Sequence, residues 1–323
     1  MTRECKHGSF LPVLTAEEAN YLQRLASQSP LQIPLLIGID AIHGNAQVAG
    51  CTVYPTSIGQ ASTFDPELVE RICEETAAEM RATGSQWTFN PNVEVARDPR
   101  WGRVGETFGE DPYLVSVMGA ASVRGYQGRD FSEPGRVLSC VKHFVGGSQP
   151  VNGTNGSPTD LSERTIREIF FPPFKAGIDA GAYSMMTAHN ELNGIPCHSN
   201  RWLMEDVVRG EWGFEGFIVS DWMDIEHIHD LHRTATDNKD AFRQSVNAGM
   251  DMHMHGPQFY EKVIELVKEG AVSESAVNRA CLKILTAKFK LGLFENPYTD
   301  TAQISKSVFT EKHRATAYEA AVK

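Results

Sequence analysis

An apolar run that ends on a carboxylate and an indole, Gly216-Phe-Ile-Val-Ser-Asp-Trp222, is the sharpest chemical feature of this chain. Ionised, Asp221 could attack an electrophilic carbon, and Trp222 offers a flat apolar surface on which the C–H face of a sugar can pack. The plainer alternative is that Asp221 caps the helix that follows. Asp40, within Gly38-Ile-Asp-Ala-Ile-His-Gly44, carries paired acceptor oxygens suited to two neighbouring hydroxyls. A structural aspartate at a loop start would look the same. Lys142-His143 sets two donors side by side, although a lysine paired with a buried acid and a histidine packed under a rim would also fit. In Ala96-Arg-Asp-Pro-Arg-Trp-Gly-Arg103, Arg103 could fork onto vicinal hydroxyls or hold Asp221 ionised, while Arg97 and Arg100 read as solvated surface charges. His189 closes a further apolar run. The remaining histidines cluster as His227, His229 and His232 and as His253 and His255. An HxH at a strand end can hold a metal, but no acidic partner set accompanies these, and no metal site or cofactor is expected.

Groups at such positions need elements to hold them. Short apolar runs at 33–39, 86–89, 137–141, 182–187, 216–220 and 249–254, with a weaker one at 9–14, alternate with long amphipathic stretches, the pattern of parallel strands joined by crossover helices. Several helix starts are readable: Thr15 with Glu18 as a capping box, Asp65 before Pro66, and Ser273. Without a Gly-rich dinucleotide fingerprint, this spacing favours an α/β fold of the TIM-type (β/α)8-like barrel kind over an open doubly wound sheet; its first strand is the one that could be incomplete. In such a barrel, active groups sit where strands end, which selects Asp40, Lys142, His143, His189, Asp221 and Trp222. The expected organisation is a catalytic barrel over 1–292 and, over 293–323, a linker leading towards a further domain. Both ends read as cut, because little chain precedes the first helix and the amphipathic run at 311–323 stops without a breaking residue.

With 323 residues, 41% hydrophobic, the chain can bury a large core. A net charge of −11 opposes attraction to phosphate backbones and anionic lipid, so neither nucleic acid nor membrane is an expected partner. The cysteines at 5, 51, 73, 140, 197 and 281 are scattered singly and read as free and mostly buried. There is no run of about eighteen apolar residues, and the first residues lack the apolar core of a signal peptide, which leaves the compartment open.

Five segments together resemble the N-terminal barrel of glycoside hydrolase family 3: Ile33-Pro-Leu-Leu-Ile-Gly-Ile-Asp-Ala-Ile-His-Gly44; Arg97-Asp-Pro-Arg-Trp-Gly-Arg103 with Gly109-Glu-Asp-Pro112; Lys142-His-Phe-Val-Gly146; Met185-Met-Thr-Ala-His-Asn-Glu-Leu-Asn-Gly194; and Gly216-Phe-Ile-Val-Ser-Asp-Trp222. The likeness covers nearly the whole chain. It implies that Asp221 is a nucleophile, that Asp40, Arg103, Lys142 and His143 grip the sugar, and that Trp222 walls the pocket. His189 stands where an aromatic residue is commoner, and is taken as a further substrate-side residue. The implied reaction is exo-acting hydrolysis of a β-linked glucoside or oligosaccharide with retention. That chemistry needs a second carboxyl about 5 to 5.5 Å from the nucleophile. In most of the family that group is a glutamate on a second α/β domain, the implied partner here. The β-N-acetylglucosaminidase branch instead uses a histidine in the loop after the Lys-His pair, and the loop at 146–160 contains none. A β-glucosidase is therefore the leading reading. A β-xylosidase and a sugar-binding barrel without turnover of its own are the alternatives. The resemblance allows periplasmic, secreted and cytoplasmic locations.

Overall fold

A computed structural model describes residues 7–323. Parallel strands follow one another with helices between. Strands β1 (Ser9–Phe10), β2 (Leu36–Ile39) and β3 (Trp87–Thr88) form one ladder, and β4 (Cys140–Phe144), β5 (Ser184–Thr187) and β8 (Phe217–Val219) form another. An antiparallel pair, β6 (Glu191–Leu192) with β7 (Ile195–Pro196), lies in the loop after β5 and has no counterpart in the sequence reading. Parallel bridges Trp87–Leu138 and Asn92–Lys142 join the two ladders, and Val219–Met252 extends the second. The strands thus run in chain order from β1 to Met252.

The helices between them start where the sequence places their caps. Thr15 Oγ1 accepts from Glu18 N at 3.2 Å, Asp65 from Leu68 N at 3.0 Å and Ser273 from Ala276 N at 3.1 Å. Each side chain satisfies one of the donors left free in a first helical turn. Crossover helices include Ala16–Ser27, Pro66–Thr83 and Pro112–Gln127, whose apolar faces bury Ala19, Ile72, Met80, Val115 and Met118. On the inner side, Leu36, Trp87, Phe89, Cys140, Met186, Phe217 and Val219 from successive strands pack into one apolar cluster with Leu11, Met252 and Met254 at its edge.

Most strands are shorter than their apolar runs. The exception is β4, which lies three residues further on than 137–141 and contains Lys142 and His143 rather than ending before them. The reason is backbone pairing: Lys142 O accepts from Val93 N at 2.8 Å and Phe144 O from Ala188 N at 2.8 Å, so the ladder carries on through two buried polar residues. Only a single bridge at Met252 survives from the run at 249–254.

Residues 293–323 carry the helices Ile304–Ser307 and Glu311–Val322. They are docked by Glu79 on the Pro66–Thr83 helix, whose buried carboxylate accepts from Phe309 N at 2.9 Å, His313 Nδ1 at 2.7 Å, Thr52 N at 2.7 Å and Thr52 Oγ1 at 2.6 Å. Cys51, Cys73, Cys140 and Cys197 are free and buried and Cys281 is free and exposed, while Cys5 lies outside the described residues. Among the described residues no helix is long and apolar enough to cross a membrane.

Candidate active site

Asp221 stands two residues past the end of β8, where the chain turns towards the helix Asp224–Asp230. It does not cap that helix, which has no side-chain cap. Instead its Oδ1 accepts from Trp222 N at 2.7 Å, and its own N–H donates to His198 Nε2 at 3.0 Å. The free edge of the carboxylate, Oδ2, is 3.0 Å from His189 Nε2 and 3.5 Å from His143 Nε2. Burial raises the Asp221 carboxyl and the Asp224 charge adds to this, while His189 and Lys142 work the other way, leaving a net upward direction.

Asp40 follows β2 and accepts from Lys142 Nζ at 2.7 Å. The lysine is almost wholly buried, with 4% of its side chain exposed, so Asp40 is the acid that compensates a buried ammonium as well as a face open to the cavity. Lys142 and His143 reach the same cavity although neighbours on a regular strand point to opposite sides; the β4–β5 ladder shifts register between Val141 and Phe144.

Arg103 is used differently from expectation. Its fork closes on Glu106, Nε to Oε1 and Nη2 to Oε2, both at 2.9 Å. The remaining donors reach His143 Nε2 at 3.1 Å and His189 Nε2 at 3.0 Å. Of its five N–H groups, four therefore have protein neighbours, and Arg103 organises the two histidines rather than presenting an open fork. Arg97 is exposed, and Arg100 pairs with Asp98 at the surface, as read from the sequence.

Four charged or polar groups that the sequence reading missed complete the site. Glu94 accepts from His143 Nδ1 at 2.8 Å. Because Arg103 donates to His143 Nε2, the imidazole proton sits on Nδ1 and the ring is neutral. Burial and then the Arg103 and Lys142 charges hold it well below the ordinary histidine value, which agrees. Burial pushes Glu94 up to about 7. Glu106 holds Arg103. Asp224 contacts His189 Nδ1 and His227 Nδ1, each at 2.7 Å. Burial holds His198 down to about 4, in keeping with its acceptor role towards Asp221 N. The only signals in sequence were an acid inside the apolar stretch Val93-Glu-Val95 and a second acid three residues after Asp221.

Asp40, Arg103, Lys142, His143, His189, Asp221 and Trp222 all line one cavity of about 320 Å³. Glu106 and Gln47 add polar groups, and Leu11, Phe89, Met186 and Met254 add apolar wall. Trp222 is half exposed and stacks on His255 with ring centroids 3.9 Å apart, which leaves one indole face for a ligand. The nitrogens of His143 and His189 and an oxygen of Asp221 lie within 4.8 Å of one another, close enough to suggest a metal. The set fits a cation poorly, since the positively charged Arg103 guanidinium already stands 3.0 and 3.1 Å from the two Nε2 atoms. The other histidines are engaged elsewhere: His229 Nδ1 lies 3.0 Å from Ala235 O, His232 Nε2 lies 3.0 Å from His189 O, and His253 Nε2 lies 3.1 Å from both oxygens of Glu226.

Comparison with known proteins places these features in context. The model of the glycosyl hydrolase family 3 N-terminal domain matches residues 6–287. A β-xylosidase of Formosa agariphila is 37% identical over 337 residues, covering 98% of this chain and 46% of the relative. A periplasmic β-glucosidase of Salmonella typhimurium is 36% identical over 328 residues, covering 99% and 42%. The structure of a β-glucosidase from Listeria innocua in complex with glucose superposes with a TM-score of 0.92 at 36% identity, covering 97% of this chain and 43% of that one. The chain thus spans less than half the length of these three proteins.

Proposed function

This chain belongs to glycosyl hydrolase family 3, and from that premise we propose that it is the nucleophile-bearing barrel of a retaining, exo-acting β-glycosidase, with β-glucosides as substrates. One observation carries the reading: a single cavity of about 320 Å³ gathers the carboxylate of Asp221 with Asp40, Arg103, Lys142, His143, His189 and Trp222. A hexopyranose fits such a volume, and the lining is what a sugar needs, hydrogen-bonding groups around the ring and an aromatic face beneath it.

In this reading the strands curl into a closed (β/α)8-like barrel. Leu11, just after β1, and Met254, just after the Met252 bridge, line the same cavity and the same apolar cluster, which supports bringing the two ends of the strand series together. Asp221 attacks the anomeric carbon and forms a glycosyl ester as the leaving oxygen departs. Trp222 N–H and His189 hold its two oxygens in place meanwhile. Asp40 accepts from sugar hydroxyls, and Lys142 donates. His143, its proton fixed on Nδ1 by Glu94, orients the inner edge. Residues 1–292 would be this barrel, and 293–323, docked through Glu79, would lead towards a second α/β domain whose glutamate protonates the leaving oxygen. A β-xylosidase is the second reading, favoured by the Formosa agariphila relative.

The test uses the chain alone. A 2,4-dinitrophenyl 2-deoxy-2-fluoro-β-D-glucoside releases its leaving group without protonation, so the label forms on the nucleophile even when no acid is supplied. We expect a mass increase on the peptide containing Asp221, faster than with the corresponding xyloside. Labelling at another residue, or none, refutes the assignment; preference for the xyloside selects the second reading.

A further inference from the structure

Asp224 takes no part in the cavity wall, yet it is fully buried and touches the histidine that touches Asp221. Its Oδ2 lies 2.7 Å from His189 Nδ1, and His189 Nε2 lies 3.0 Å from Asp221 Oδ2. His189, from the end of β5, is therefore a bridge between two buried carboxylates that both follow β8, and it lies 35 residues from Asp224 in the chain. We propose that Asp224 is a positioning residue that pins a doubly protonated His189 against Asp221, so that the carboxylate assigned as nucleophile works beside a fixed imidazolium.

The protonation state follows from the contacts of the ring with two carboxylates and from charge. A neutral His189 with its proton on Nδ1 would donate to Asp224 and accept from Arg103 Nη1, 3.0 Å away. That arrangement sets an imidazole lone pair against Asp221 Oδ2 at 3.0 Å. With both nitrogens protonated, Nδ1–H donates to Asp224 Oδ2 at 2.7 Å and Nε2–H stands 3.0 Å from Asp221 Oδ2, at the cost of also facing Arg103 Nη1 at 3.0 Å. The surrounding charges favour the second form. Lys142 is matched by Asp40 and Arg103 by Glu106. His143 and His198 are neutral acceptors towards Arg103 and Asp221 N, and Glu94 lies behind His143. What remains is Asp221 and Asp224, two carboxylates with His189 between them. His227 faces Asp224 from the same helix but is remote from Asp221 in the bonding pattern. Burial pulls His189 down, yet the Asp224 hydrogen bond and the Asp224 and Asp221 charges outweigh it and bring the ring up to about 9.

The short contact also decides between two roles for His189. An acid that protonates the leaving oxygen must stand off from the nucleophile by about 5 to 5.5 Å, leaving room for the scissile bond. At 3.0 Å from Oδ2, the His189 ring nitrogen stands against the carboxylate assigned as nucleophile, with no room for a scissile bond between them. It keeps its proton throughout: Asp221 loses its charge on forming the ester and regains it on hydrolysis, and the imidazolium favours the ionised form each time.

The inference rests on the reading of Asp221 as nucleophile, and the experiment separates the two. Imidazole nitrogen NMR of the whole chain should find His189 still doubly protonated at pH 8; Asp224→Asn should bring its titration down from about 9 to 6.5 or lower. In the same variant, the rate of Asp221 labelling by the dinitrophenyl fluoroglucoside should keep its acid-side plateau shape but lose about tenfold or more by pH 8, because the alkaline limb follows His189. A merely structural role for Asp224 would scale the rate equally at every pH. A wild-type His189 that titrates at or below 6.5 overturns the proposal, and so does an Asp224→Asn titration unchanged from wild type. The wild-type measurement decides even if the variant does not fold. Absence of label at every pH would sink the nucleophile assignment while the nitrogen titration still judges the dyad.

Discussion

Replacing Glu94 by Gln should make the stability difference between variant and wild type depend on pH in one direction. Glu94 is buried at the back of His143, and its Oε1 has no hydrogen-bond partner. Burial brings its carboxyl from 4.5 to about 7 in the folded chain. The unfolded chain leaves it at the ordinary value. Below about pH 4.5 the carboxyl is protonated in both states and its contribution is fully present; as pH rises through 7 the folded chain must accommodate a carboxylate in an apolar site and that contribution is lost. A displacement of this size corresponds to about 3 kcal/mol. Gln keeps the acceptor for His143 Nδ1–H and cannot ionise. Urea unfolding of both proteins from pH 5 to pH 8 should therefore show Glu94→Gln gaining on wild type by about 3 kcal/mol across the window, with equal slopes. A difference that stays flat would mean that Glu94 is ionised throughout, and the assignment of a neutral His143 held by a protonatable acid would be wrong.

Three further outcomes follow from the same contacts. Gly147→Ala would set a methyl 2.9 Å from Glu94 Oε1, so it should cost about 1 to 3 kcal/mol in urea unfolding and slow Asp221 labelling through displacement of Glu94 and His143. Asp40→Ala removes the partner of the buried Lys142 ammonium; because Asp40 is itself partly exposed, a modest loss of about 1 to 2 kcal/mol is expected, with glucose binding by calorimetry falling much more than stability. Glu79→Ala deletes the acceptor of the two hydrogen bonds, from Phe309 N and His313 Nδ1, that hold residues 293–323 to the Pro66–Thr83 helix, and should free that segment for limited proteolysis while leaving Asp221 labelling close to wild type. Resistance of the segment to protease in that variant would show that helix packing alone docks it.

What was legible in the sequence divides along a physical line. The positions of Asp40, His189 and Asp221 could be read because a parallel strand is an apolar run, and the first polar residue beyond it falls at the strand's end whatever the rest of the chain does. That rule failed at Lys142 and His143. Both are buried inside β4, one against Asp40 and one against Glu94, and a strand whose polar residues are satisfied by partners about 50 to 100 positions away is indistinguishable locally from a strand that has ended. The same limit hid Glu94, Glu106, Asp224 and His198. None of them is exceptional as a residue type at its position; Glu94, Asp224 and His198 matter because a donor from a different strand end reaches them, and Glu106 because it takes the fork of Arg103. Arg103 makes the point most sharply. Its segment announced a functional arginine, and its obvious use was an open fork for sugar hydroxyls. The fork instead closes on Glu106, three residues along, and the two donors left over fix the tautomer of His143 and crowd His189. Local pattern found the residue, but only the folded arrangement shows that its remaining donors face the histidines beside Asp221.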